Sequence, residues 1–287
     1  MVNRSELYRQ CTETLEKSGI ADAEFDTLCI FQDMLKDKNP LFRPLEAVPE
    51  EAESMIRKLT ERRAEGYPLQ YLLGQWEFFG YPFFVGEGVL IPRPETELLV
   101  ENVIKICRKN KIGSPKIADL CAGSGCIAIA LKKELPQADI YAYEISDKAF
   151  SYLEKNCSLN NAGIKAVKCD VQSESIALDS ENRDFDIIVS NPPYLTKEEM
   201  QVLQKEVTFE PQLALDGGED GLDCYRNITK IWKKCLKKGG WLCYEFGDGQ
   251  HEKVEQILIE NKFVNITFSR DLAGIVRTVT AQKSEEL

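Results

Sequence analysis

The chain has 287 residues, 43% of them hydrophobic, and carries 47 acidic against 36 basic side chains for a net charge of -11. That is enough apolar content for a real core in one large domain or two modest ones. The acidic balance argues against a general grip on nucleic acid, which works by neutralising phosphates with Lys and Arg. No run of about 18 apolar residues occurs, and the opening MVNRSELYRQ lacks the apolar core of a secretory signal, so a soluble cytoplasmic protein with no membrane partner is expected.

Residues 1 to about 66 read as helices. Leu7, Cys11 and Leu15 share a face before Gly19. Phe25, Leu28, Phe31 and Leu35 continue after an Asp22 cap, and Ala52, Met55, Ile56 and Leu59 form a third stripe between Pro49 and Gly66. From 67 to 93 short aromatic runs, QWEFFGYPFFV, broken by Gly80, read as a hairpin linking two domains. The expected division is a helical domain over 1–74, a hairpin linker over 75–93 and a larger domain over 94–287.

Pro94 suits the first turn of a helix reaching about Arg108. From 116 onward strands and helices alternate: KIADL, a glycine loop, a helix over 126–134, DIYAYE, a helix over 147–160, KAVKC and FDIIVS. GWLCYEF, a helix over 250–261, and the closing pair FVNITFSR and GIVRTVTAQ follow. Apolar strands without polar alternation, separated by helices, predict an α/β fold with a doubly wound parallel sheet covered on both faces.

The ten cysteines are scattered, with no CxxC, and only one histidine, His251, occurs. Small core fillers in a reducing compartment, and no metal site, is the reading that follows.

In IADLCAGSGCIAIAL a strand runs through a glycine turn into a helix. Gly123 and Gly125 remove side chains where a ligand must approach the backbone, at the carboxyl edge of the sheet. Gly123 to Ala128 also matches the loose dinucleotide fingerprint, so a nicotinamide and S-adenosylmethionine are both open at this point. Glu144, ending the second strand, can accept from ribose hydroxyls, and Asp170 can accept from an adenine amino group. Neither discriminates between the two cofactors.

The discriminating stretch is Asn191-Pro192-Pro193-Tyr194, which ends the fourth strand on the same edge. The prolines stiffen the backbone on either side. The Asn191 side chain and the Pro192 carbonyl then become two converging acceptors for a planar NH2 group, and Tyr194 can stack on the substrate or lie against a sulfonium. That chemistry is methyl transfer to nitrogen, not hydride transfer.

Together LIPRPETELLVE, DLCAGSGCIAIAL, FDIIVSNPPY, FEPQLALDGGEDGLDCYRNI, YEFGDGQ and RDLAGIVRTV resemble the release-factor glutamine N5-methyltransferases, the HemK or PrmC family. The resemblance implies a class I S-adenosylmethionine-dependent methyltransferase with a Rossmann-like, seven-stranded, mostly parallel sheet and a small N-terminal helical domain that helps recognise a class I peptide-chain release factor. It implies transfer to the side-chain amide nitrogen of the glutamine in the factor's GGQ motif. Cys121, Ala122, Gly123, Ser124, Gly125 and Glu144 would contact the cofactor, Val171 would flank the adenine, Asn191 to Tyr194 would hold the glutamine, and Thr96 would lie near the cofactor. The family's usual Gly-Thr pair is here Cys121-Ala122, and Glu144 replaces an aspartate. A monomer is expected. N5-glutamine methylation of a ribosomal protein and adenine N6-methylation of nucleic acid are the nearest alternatives. A nicotinamide oxidoreductase and a non-catalytic binding module are the rivals of other classes. Residues 1–75 hold 10 basic and 14 acidic side chains, which disfavours direct nucleic-acid binding.

Overall fold

The computed structural model describes residues 2–178 and 182–285. The chain divides into two compact units, one of residues 1–75 with 204–209, the other of residues 76–203 with 210–287.

The first unit holds α1 (Arg4–Lys17), α2 (Ala23–Leu35), α3 (Glu50–Ala64) and the short α4 (Leu69–Leu73). The Asn3 side chain accepts the Glu6 N–H at 2.8 Å and so caps α1, and Leu7, Cys11 and Leu15 are buried along one face. The other two stripes are rotated from those expected. In α2 the buried face is Ala23, Asp26, Thr27, Ile30 and Phe31, while Phe25 is 53% exposed. In α3 it is Ile56, Thr60 and Arg63, with Met55 exposed. The cause is an ion pair inside the unit: Arg63 Nε donates to Asp26 Oδ2 at 2.6 Å, drawing two charged residues inward. Arg63 Nη2 also reaches Glu206 Oε1 at 2.6 Å, which brings 204–209 into this unit. Asp22 stands at the cap position of α2 but makes no side-chain cap bond.

Strands β1 (Gln75–Phe78) and β2 (Tyr81–Phe84) form the two-stranded hairpin. Its turn residues Phe79 and Gly80 lie at φ 54° and 76°, the left-handed pair of a tight turn that suits strand twist. The helix α4 occupies part of the 67–93 stretch that reads as hairpin, because Leu69 and Tyr71 find burial within one helical turn.

The second unit runs α5 (Glu97–Lys109), β3 (Lys116–Leu120), α6 (Cys126–Glu134), β4 (Asp139–Glu144), α7 (Asp147–Leu159), β5 (Lys165–Lys168), β6 (Phe185–Ser190), α8 (Asp223–Trp232), β7 (Leu236–Glu245), α9 (His251–Glu260), β8 (Phe263–Arg270) and β9 (Val276–Lys283). The sheet order is β5-β4-β3-β6-β7-β9-β8, parallel throughout except for β9, which is antiparallel to both neighbours. Successive strand residues serve two cores. Ile117, Ile140 and Ile187 pack with Val103, Ile127 and Leu153 of α5, α6 and α7. Ala118, Tyr141 and Ile188 pack with Tyr225, Trp232 and Leu258 of α8 and α9. Both faces being buried is why the strands show no polar alternation. The order reverses between β3 and β6, so ligands are expected outside the carboxyl ends of these strands.

Candidate functional site

A cavity of about 340 Å³ lies at that switch point. It is lined from β3 by Cys121, Ala122, Gly123 and Ser124, from β4 by Glu144, from β5 by Asp170 and Val171, and from β6 by Asn191 and Pro193, with Thr96 beside them. The structure thus brings ten of the sequence-selected residues to one hollow. Gly125, Pro192 and Tyr194 do not line it.

The loop after β3 is shaped by left-handed backbone at Cys121 (φ 60°), Gly123 (φ 56°) and Gly125 (φ 81°). The two glycines do different work. A Cβ on Gly123 would meet nothing within 4 Å, whereas one on Gly125 would sit 2.4 Å from Leu153 Cδ1, so Gly125 serves the packing of the loop on α7. Cys121 adopts a conformation that glycine takes at least cost, and burial pushes its thiol well up, so it is no nucleophile.

Glu144 is buried, and its two carboxylate oxygens brace the backbone. Oε2 accepts from Gly123 N–H at 2.8 Å and Oε1 from Ser146 N–H at 2.7 Å. Each oxygen has a second lone pair, leaving capacity for a ligand's hydroxyls. Asp170 is exposed and accepts the Gln172 N–H through Oδ1, which leaves Oδ2. Val171 is buried, and its carbonyl accepts from Trp232 Nε1 at 2.8 Å.

The Asn-Pro-Pro-Tyr corner is fixed by its neighbours. Tyr194 carbonyl accepts from Gln250 Nε2 at 2.8 Å, and a Cβ on Gly217 would stand 2.7 Å from Tyr194 Cα. The Tyr194 ring packs on the β7 side core, and burial pushes its hydroxyl up to about 12. It is therefore placed to brace the corner and not to face the cavity. Asn191 Nδ2 donates to Thr96 Oγ1 at 3.2 Å. With Nδ2 engaged, Oδ1 is the acceptor left for a ligand.

Four residues here escape sequence reading. Glu210 is buried, accepts the Ile91 N–H at 3.0 Å and pairs with Arg93, pinning the segment that carries Pro94 to Thr96. Asp119 accepts the Ala128 N–H at 3.0 Å from beneath the loop, and burial pushes it up to about 8. Glu245, at the end of β7, is buried, and burial pushes its carboxyl up to about 7. PRPETE, FEP and YEFG contain Arg93, Glu210 and Glu245, but nothing local in those segments shows which partners they meet.

The PrmC N-terminal domain model matches residues 6–74, and the methyltransferase small domain model matches residues 94–220. A release factor glutamine methyltransferase of Fusobacterium nucleatum is 38% identical over 283 residues, covering 97% of this chain and 78% of that protein. One from Thermodesulfovibrio yellowstonii is 40% identical over 252 residues, covering 88% and 89%. Among solved structures, the hMettl16 catalytic domain in complex with the MAT2A 3'UTR hairpin 6 covers 82% of each chain at 18% identity, with a TM-score of 0.58, a likeness of fold. The seven-stranded sheet is that of a class I methyltransferase, and this chain belongs to the release factor glutamine methyltransferase family.

Proposed function

We propose that this protein transfers a methyl group from S-adenosylmethionine to the side-chain amide nitrogen of the glutamine in the GGQ motif of a class I peptide-chain release factor. The observation that carries this reading is Asn191, stiffened by Pro192 and Pro193 and held by Thr96, at the rim of a cavity whose floor is the glycine loop.

The cavity fits the donor. Gly123 leaves open space over left-handed backbone, Glu144 keeps lone pairs free for ribose hydroxyls, and Asp170 and Val171 stand where an adenine edge and face would need an acceptor and an apolar wall. When bound, the donor supplies a methyl group on a cationic sulfur. The protein's own residues orient the acceptor. In this reading Oδ1 of Asn191, which lines the cavity, and the carbonyl of the adjoining Pro192, which lies outside that lining, each accept a hydrogen bond from the glutamine NH2, which localises nitrogen electron density and sets its approach. Neither group removes a proton before transfer, in keeping with a chain that has one histidine; the N–C bond would form as the S–C bond breaks, the bonding pair would stay on sulfur as a neutral thioether, and the surplus proton of the methylated nitrogen would pass to water afterwards.

Residues 1–74 form the substrate-recognition domain, 75–93 the linker and 94–287 the catalytic domain in this reading, acting as a cytoplasmic monomer. The acidic balance of residues 1–75, 14 against 10, favours a protein substrate over nucleic acid. Among the described residues no helix is long and apolar enough to cross a membrane. Calorimetry with S-adenosylmethionine and with NAD, followed by labelled-methyl incorporation into release factor, ribosomal protein, RNA and DNA, tests the proposal. Binding of the methyl donor alone and label in release factor alone are expected; label in RNA or DNA instead would replace it with the adenine reading.

A further inference from the structure

The Asn-Pro-Pro-Tyr corner cannot anchor itself. Pro192 and Pro193 carry no N–H, and a proline ring fixes φ at about −65° but leaves ψ open, so each proline carbonyl points where the chain on either side sends it. Upstream the hold is β6: Ser190 pairs with Leu120 and Tyr244, and its hydroxyl donates to the Leu120 carbonyl at 2.7 Å. Downstream, the Leu195 N–H donates to the Leu215 carbonyl at 2.9 Å, and the Leu195 carbonyl accepts from the Gly217 N–H at 2.8 Å. Between these holds stands Tyr194, whose carbonyl accepts from Gln250 Nε2 at 2.8 Å.

Gln250 is the residue at the N-terminal cap position of α9, and its side chain spans two backbones. Oε1 accepts the Gly247 N–H at 2.9 Å while Nε2 donates to the Tyr194 carbonyl. One partner can only donate and the other can only accept, so the contact calls for an acceptor and a donor on one terminal group, and it sets which way the carboxamide turns. The packing is close. A Cβ on Gly221 would press on the Tyr194 carbonyl oxygen and stand 2.5 Å from Gln250 Nε2, and one on Gly247 would stand 3.1 Å from Tyr194 Cδ2. Three segments, SNPPYL, GGEDGLD and YEFGDGQ, therefore meet at one backbone carbonyl. Methyl transfer through Asn191 and the Pro192 carbonyl leaves the last two without a part.

We propose that Gln250 is a positioning residue for the transfer: its carboxamide locks the downstream end of the corner to the turn between β7 and α9, and so aims the Asn191 side chain and the Pro192 carbonyl at the acceptor amide. The proposal rests on the glutamine methylation proposed for this site. Neither Gln250 nor Tyr194 lines the cavity, so the effect runs through the backbone of the corner. Gly123, Glu144 and Asp170 reach the cavity from β3, β4 and β5, away from this contact, so S-adenosylmethionine binding does not depend on it.

The test compares Gln250→Glu and Gln250→Met with wild type in the full chain. Gln250→Glu keeps the shape and the acceptor for Gly247 but sets an oxygen against the Tyr194 carbonyl oxygen. Gln250→Met removes both bonds and adds no charge. In both, kcat for release-factor methylation is expected to fall about tenfold with the S-adenosylmethionine dissociation constant within about twofold of wild type, as for loss of one hydrogen bond that shapes the transition-state site. Hydrogen exchange at the Leu195 amide, followed by NMR, is expected to speed up about tenfold while the β6 amides keep their wild-type rates, which separates release of the corner from a general loss of stability. Combined with Asn191→Ala, neither change should cost more than about a further twofold, since the side chain that Gln250 aims is then gone. Unchanged kcat in Gln250→Glu, S-adenosylmethionine affinity falling in step with kcat, additive losses with Asn191→Ala, or Leu195 exchange at the wild-type rate would overturn the proposal. A wild-type chain that leaves release factor unmethylated overturns the proposed function instead, and Leu195 exchange then decides by itself whether Gln250 locks the corner.

Discussion

Oε2 of Glu144 accepts the backbone N–H of Gly123 at 2.8 Å, so the carboxylate facing the cavity also holds the glycine turn in shape. Glu144→Ala removes this bond and the one from Ser146 together. Donor dissociation constants are expected to rise by about tenfold or more, with a lowered thermal midpoint, since each lost bond is worth roughly 1 kcal/mol. Calorimetry and a melting curve check both, and an unchanged dissociation constant would count against a ribose contact.

Asn191→Ala removes the acceptor at the rim while leaving the glycine loop and Glu144 untouched. The methylation rate is expected to fall by roughly 10² to 10³, as for loss of one preorganised group in a transition-state site, with donor binding nearly intact. Single-turnover kinetics beside calorimetry separates the two effects. A variant that keeps most of its rate would remove Asn191 from the role given to it.

Asp119 supplies a pH signature in stability. Burial raises its carboxyl from the ordinary 3.8 to about 8, and the Ala128 N–H and the Glu144 charge act in opposite directions on it. Because the folded chain holds this proton more tightly than the unfolded chain, the contribution is fully present below about pH 4 and is lost as pH rises through about 8. Asp119→Asn keeps an acceptor for Ala128 and has no proton to lose. The wild-type melting temperature should therefore fall more steeply between about pH 5 and about pH 8.5 than that of the variant. Parallel profiles would refute the assignment.

The two glycines of the loop should respond differently. Gly125→Ala places a Cβ 2.4 Å from Leu153 at a φ of 81°, and a loss of about 1 to 3 kcal/mol in denaturant unfolding is expected. Gly123→Ala meets open space, so its stability loss should be about 1 kcal/mol, from the left-handed backbone alone, with weakened donor binding as the larger effect. Equal stability losses would contradict the division of roles.

Much of the fold can be read from the chain because burial on two faces leaves an unmistakable pattern. KIADL, DIYAYE and FDIIVS are apolar without alternation, and β3, β4 and β6 occupy those residues. The glycine turn is equally legible, since Gly123 and Gly125 meet a local need. What cannot be read depends on distant partners. The stripe of α2 is displaced because Asp26 turns inward toward Arg63, 37 residues away. Glu206 joins the helical unit through the same arginine across 143 residues. The helix α8 is easily passed over, as DCYRNITKIW follows a glycine-rich loop and its buried face emerges only against β7. At the site, Glu210 and Glu245 look like surface acids in the sequence, and only the folded chain shows that both are buried and that Ile91 and Arg93 meet Glu210.

The most direct measurement is a single-turnover reaction of this protein with labelled S-adenosylmethionine and a class I release factor, followed by peptide mapping of the product. One methyl on the GGQ glutamine, absent when that glutamine is replaced, is the predicted result. Label on another residue, or undiminished label after the replacement, would contradict the account.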